Sequence, residues 1–175
     1  MTVTNATTNA DNLSRSTNDT FRVEVAGLPP NAVIERAVTI PEVAEPIVMG
    51  VRPSYEEYYR VEPGQFPPRA TTTDVFVAAV ASCMFGTFTR AVEARGLTIE
   101  RGQLWADVES GFVHLGGGSR YVERIHLEIG TSLGAEHHDL LRKVLRVFEK
   151  GCWLSQTLAG SRCTVSAELL LDAAA

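Results

Sequence analysis

The amino-acid sequence predicts an α+β fold with an antiparallel sheet and one long buried helix. Three observations predict it. An almost unbroken apolar run, VFVAAVASCMFGTF, spans Val75 to Phe88. Two segments of period-two alternation, Leu97 to Ser110 and Arg120 to Gly130, flank the triplet Gly116-Gly117-Gly118. An amphipathic stretch and a last alternating segment close the chain. The order is therefore strands, buried helix, long hairpin, helix pair and strand, which is an α+β arrangement.

Residues 1–19 are Thr, Asn, Ser, Asp and Ala with almost nothing to bury. Such a segment cannot offset its own ordering entropy, so it reads as a disordered tail ahead of a single domain over 20–175. Thr20 to Ala26 alternates apolar and polar, the pattern of a half-buried strand. Leu28-Pro29-Pro30-Asn31 is a turn. Ala32 to Ile40 reads as a second strand, with a helix as the competing reading. Prolines at 41, 46, 53, 63, 67 and 68 break the stretch from Pro41 to Pro68 into short pieces. Within it Ile47 to Val51 is a candidate strand, and Tyr55 to Val61 either an edge strand or one helical turn. A long irregular approach of this kind either forms a binding loop or covers a sheet edge.

Thr71 to Arg95 predicts a helix. Thr71-x-x-Asp74 resembles a capping box, and Gly96 suits the left-handed residue that ends a helix. A helix apolar on every side is buried on every side. Ala78, Ala79, Ala81, Ser82 and Gly86 would let other backbones approach closely. One domain of this size can scarcely cover such a helix, so a partner subunit is expected to complete its burial. The glycine triplet reads as a hairpin tip. A phosphate loop would need a following helix and a Lys-Ser pair, which the sequence lacks. Ala135 to Lys150 sets Leu140, Leu141, Val144, Leu145 and Phe148 against Arg142, Lys143, Arg146 and Glu149, an amphipathic helix that Gly151 stops. Cys152 to Leu158 predicts a short second helix, and Arg162 to Leu171 a final strand.

The 175 residues carry a formal net charge of -5, with 16 scattered Lys and Arg. Phosphate contacts need clustered cations, so this is a poor nucleic-acid surface. The N-terminus has no basic and apolar regions of a secretory signal, and the apolar run of about 14 residues is short of the ~20 of a membrane span. Three cysteines is an odd number, unlike a secreted disulfide framework. The expectation is a cytoplasmic protein in a reducing compartment, with no membrane and no nucleic-acid partner.

Two cysteines differ in setting. Cys83 lies mid-helix in the apolar run, where desolvation raises a thiol pKa. To react it needs a cation from elsewhere, and Arg22, Arg36, Arg52, Arg60 and Arg69 all lie upstream. Cys152 follows Gly151 in the first turn of a new helix beside Lys150, both of which favour its thiolate. Local electrostatics thus make Cys152 the more reactive of the two, and leave open that Cys83 is a small core hydrophobe. Cys163 alternates with Val165, Ala167 and Leu169 and reads as packing. Trp105 and Trp153 read as core or wall, Trp153 lining a pocket if Cys152 is functional. Adjacent His137 and His138 point about 100° apart on a helix and make a poor metal pair.

The segments ATTTDVFVAAVASCM, Ala70 to Met84, and FEKGCWLSQTLAG, Phe148 to Gly160, resemble the two cysteine motifs of the OsmC/Ohr family of osmotically inducible and organic-hydroperoxide-resistance proteins. The resemblance covers about Pro67 to Leu171. It implies an intertwined homodimer whose central helices are wrapped by sheets of both subunits. It further implies that Cys83 attacks a hydroperoxide and becomes a sulfenic acid, that Cys152 resolves it to a disulfide, and that an external dithiol reductant restores the pair. No metal or organic cofactor is implied. The peroxidase members carry Pro-Glu at the start of the helix, and that Glu holds an Arg over the thiolate. Here Thr72 and Thr73 stand at those positions with Asp74 next, so Asp74 either substitutes for the Glu or only caps the helix. Arg69 is the candidate cation. Trp153 replaces the proline that usually follows the second cysteine. The alternative on the same scaffold is a redox-sensing or small-ligand-binding dimer without peroxidase activity; a third reading is a structural dimer in which both thiols only pack.

Overall fold

The computed structural model describes residues 21–25, 35–116 and 119–171. The expected tail over 1–19, the turn at 28–31 and the residues Gly117 and Gly118 lie outside them. The chain divides into two compact units between Thr71 and Thr72.

In the first unit, β1 (Arg22–Val25), β2 (Arg36–Thr39) and β3 (Ile47–Met49) form an antiparallel sheet in that order. Of the two readings for the second segment, the strand is the one formed. Pro53–Tyr55 make a 3-10 turn that runs into α1 (Glu56–Tyr59). The Tyr55–Val61 segment is therefore the helical turn rather than an edge strand. Proline pre-sets φ for the first turn and lacks a donor that a helix start would leave unused.

The second unit carries the chemistry. Its long helix, α2 (Thr72–Glu93), has Asp74 in its first turn, where the helix dipole favours a carboxylate. The chain leaves it through Gly96 at φ +88°, a conformation that costs glycine nothing. Next come β4 (Leu104–Gly116) and β5 (Ser119–Thr131), a hairpin paired from Leu104↔Thr131 to Gly116↔Ser119, its register shifting between Gly111 and Phe112 and between His114 and Gly116. The first strand starts at Leu104 rather than at Leu97, where its alternation begins.

The amphipathic segment is interrupted. A 3-10 turn over Ala135–His137 leads to α3 (His138–Leu145), and a second 3-10 turn covers Phe148–Gly151. Val147 leaves helical geometry at φ -130°, so Leu141 and Val144 face the core from one axis and Phe148 from another. Then follow α4 (Trp153–Leu158) and β6 (Thr164–Leu170). One pairing departs from the antiparallel expectation: β6 lies parallel to β5, Arg124↔Thr164 through Gly130↔Leu170. A parallel neighbour needs a long crossover, and α3 with α4 supplies it.

Period-two alternation puts Ile125, Leu127 and Ile129 of β5 on the inner face, all fully buried. They pack with Val80, Met84, Phe88 and Val92 of α2, Leu141 and Val144 of α3, Phe148 and Cys152. Phe88 and Phe148 meet edge to face at 5.6 Å. Within one chain α2 is buried along one face. Phe76, Ala78, Ala79, Ser82, Gly86 and Arg90 are exposed, Phe76 at 39%. The all-round burial expected of this helix is thus not reached inside a single subunit.

Candidate active site

α2 brings Cys83 to the edge of the core, half-buried. The 3-10 turn Phe148–Gly151 runs against α2, so closely that a Cβ on Gly151 would lie 3.5 Å from Thr87 Cγ2. The next residue, Cys152, is fully buried. The two sulfurs stand 3.4 Å apart, though 69 residues separate them in sequence. All three cysteines are free thiols.

Cys152 is the residue that caps α4 rather than a member of its first turn. Its sulfur accepts from the Ser155 amide at 3.5 Å, the hydrogen bond a Ser or Asp usually takes at a helix start. Burial acts to raise this thiol. The Ser155 amide and side chain, the Cys83 thiol and the Leu154 amide, all close to the sulfur, together favour the thiolate and outweigh it, and the pKa is lowered. The structure thus agrees with the local reading that Cys152 has the better-supported thiolate. Cys163, by contrast, is half-buried against the core and pushed up by desolvation, as a packing residue would be.

Beside the sulfurs lies a cavity of about 410 Å³. Ser82, Cys83, Gly86, Thr87 and Arg90 of α2 line it, with Gly151 and Trp153 opposite. Cys83 opens onto this space, and Cys152 lies behind it. Trp153 is 84% exposed, so it is a rim residue rather than core.

Arg90 is a cation of the cavity lining that the sequence reading did not single out. It stands seven residues after Cys83, two helical turns, on the same face. Arg90 and Cys83 line the same cavity. Among the described residues Arg90 has no ion-pair or hydrogen-bond partner. Arg69, the expected cation, lies in the first unit, where its Nε pairs with Glu35 at 2.8 Å. Asp74 sits nine residues before Cys83, about half a turn round α2, which suits the helix start.

His126, Glu128 and Glu168 form the group in the described residues that could hold a metal ion, their ligand atoms within 4.8 Å of one another. They lie on the sheet face opposite the core. His126 is already engaged there, Nδ1 with Ser166 Oγ at 2.8 Å and Nε2 with Glu168 at 3.5 Å. That is the arrangement of a cross-strand polar pair.

Residues 66–168 match the sequence model of the family described as OsmC-like protein. The fold recurs in solved structures. An OsmC-like protein of unknown function from Vibrio cholerae aligns with TM-score 0.65 at 14% identity, over 88% of this chain and 99% of its own. An OsmC-like protein from Mycoplasma pneumoniae gives 0.61 at 14%, over 90% and 99%. The organic hydroperoxide resistance protein OhrB of Bacillus subtilis gives 0.56 at 16%, over 86% and 98%. At these identities the likeness is one of fold. No curated protein sequence matches significantly.

Proposed function

This chain belongs to the OsmC-like protein family, and from that premise we propose that it is a thiol-dependent peroxidase that reduces organic hydroperoxides through Cys83 and Cys152. The observation that carries the reading is the 3.4 Å between the two sulfurs, beside a cavity that one of them lines. A disulfide needs about 2.05 Å, so bond formation closes a gap of about 1.4 Å without rearranging an element.

Access assigns the roles. The Cys83 thiolate attacks the outer oxygen of ROOH; the O–O bond breaks, and the alcohol leaves once its oxygen takes a proton. Cys83 becomes a sulfenic acid. The Cys152 thiolate then attacks that sulfur and expels hydroxide, which leaves as water after protonation, and the disulfide forms. An external dithiol returns two electrons and both protons. Arg90 is the cation placed to favour the thiolate and to hold the polar end of the peroxide. The Trp153 ring offers an apolar surface to an organic R group at the rim of the cavity.

The same reading takes the protein to be a cytoplasmic homodimer, the exposed face of α2 covered by a second copy. Peroxide consumption with a dithiol reductant tests the chemistry. Cys83→Ser is expected to abolish turnover. Cys152→Ser is expected to stop after one equivalent, as a sulfenic acid that dimedone traps on Cys83. Equal, slow consumption by both variants and the unaltered protein would remove the enzymatic reading in favour of a sensor or binding protein.

A further inference from the structure

Ser155 holds a buried hydroxyl that makes no hydrogen bond among the described residues. Native structures rarely leave a buried polar atom unpaired without a chemical reason. Here the reason is next to it. The Ser155 amide already donates to the Cys152 sulfur, and the hydroxyl is among the groups that bear on that thiol. A neutral thiol is a weak acceptor, whereas a thiolate accepts strongly. The hydroxyl therefore gains a partner when Cys152 ionises. Around Cys152, α2 contributes Cys83 and the exposed Arg90, and the preceding turn contributes Glu149 and Lys150, both exposed. α4 itself carries no charged residue.

We propose that Ser155 is a positioning residue that stabilises the Cys152 thiolate, so that when the Cys83–Cys152 disulfide is reduced the reductant attacks Cys83 and Cys152 is the sulfur expelled. This rests on the reading that the pair forms a disulfide. Access and leaving ability point the same way. Cys83 lines the cavity, whereas Cys152 is fully buried behind it. In thiol–disulfide exchange the sulfur of lower pKa leaves faster. A thiolate of the external dithiol bonds to Cys83 Sγ, the Cys83–Cys152 bond breaks, and its electron pair departs on Cys152. The reductant's second thiolate then attacks its own sulfur in the mixed disulfide and expels Cys83 as thiolate. The reductant is oxidised by two electrons and the protein dithiol is restored.

The test needs no peroxide. The disulfide is made with diamide, and its reduction is followed with dithiothreitol and with the monothiol 2-mercaptoethanol. The monothiol adduct, located by peptide mass, is expected on Cys83. Ser155→Ala is expected to slow dithiothreitol reduction about threefold or more, and to raise the Cys152 thiolate titration followed by ultraviolet absorbance in a Cys83→Ser background. Ser155→Thr, which keeps the hydroxyl, is expected to restore both. An adduct on Cys152 overturns the proposal in the unaltered protein, whatever the variants do. So does a Ser155→Ala protein whose reduction rate and titration are unchanged. Failure of diamide to form the disulfide at all would instead overturn the underlying dithiol reading.

Discussion

Arg90→Ala removes the guanidinium that lines the cavity beside which the two sulfurs lie. If the protein is the proposed peroxidase, a charge-assisted hydrogen bond from Arg90 to the reacting groups is worth about 1.5–3 kcal/mol, so kcat/KM for a hydroperoxide is expected to fall by roughly tenfold or more. Arg90→Lys should recover part of it, since it keeps the charge but not the planar fork. Steady-state kinetics of the two variants checks this. Stability also depends on these side chains through pH. The Cys152 thiol is lowered on folding, so between its folded and unfolded pKa the unfolded chain binds more protons. Its contribution is complete above the ordinary thiol range of ~8.5 and is lost as pH falls through the folded value. Cys163 is raised, so its contribution is present below that range and lost as pH rises. Urea midpoints of the reduced protein across this interval should rise less with pH in Cys152→Ser than in the unaltered chain. Cys83 and Cys152 were legible in the sequence by their settings, and local chemistry already favoured the Cys152 thiolate. Access, which decides which sulfur meets a substrate, was not legible, because it depends on the turn that lays Gly151 against α2. Arg90 was hidden for a different reason: upstream arginines drew attention, while the i+7 spacing inside the helix itself carried the signal.

At the scale of elements, alternation and apolar runs located every strand and helix of the second unit. Direction was another matter. A strand's periodicity is the same read either way, so the alternating segment ending at Leu171 gave no sign that β6 runs parallel to β5. The interruption after α3 was equally hidden, since the helical repeat continues through Val147 and Phe148 while the backbone does not. Phe88 is the contact that joins α2 to this displaced turn, through Phe148. Phe88→Ala is expected to cost about 3–5 kcal/mol, read as a lowered urea midpoint. A second element-level prediction concerns the outer face of the sheet, where a Cβ on Gly130 would meet the Trp105 ring. Gly130→Ala is expected to destabilise by about 1–3 kcal/mol. Trp105→Ala should remove most of that penalty in the double variant, a coupling that a thermodynamic cycle measures.

For the whole molecule, the apolar length of α2 raises the question of what covers it. By length and composition α2 would itself pass for a membrane span, yet five of its side chains belong to the core of the second unit. The remaining stripe, Ala79, Ser82 and Gly86, is free of bulk, and a Cβ on Gly86 would meet nothing within 4 Å. If a second copy of the chain packs there, Ala79→Arg is expected to yield monomers by sedimentation velocity while leaving the circular dichroism of the fold unchanged. A native mass equal to one chain for the unaltered protein would end the dimer reading.

The parallel placement of β6 has a consequence for how the protein is made. Cys152 lies in the crossover between β5 and β6. At ~5–20 residues per second of synthesis, the 69 residues between the sulfurs separate their emergence by on the order of ten seconds. If Cys152 resolves an oxidised Cys83 as proposed, a nascent chain in that interval presents Cys83 without its partner. On that reading, protection of newly made chains from over-oxidation falls to the surrounding cell until β6 has been made.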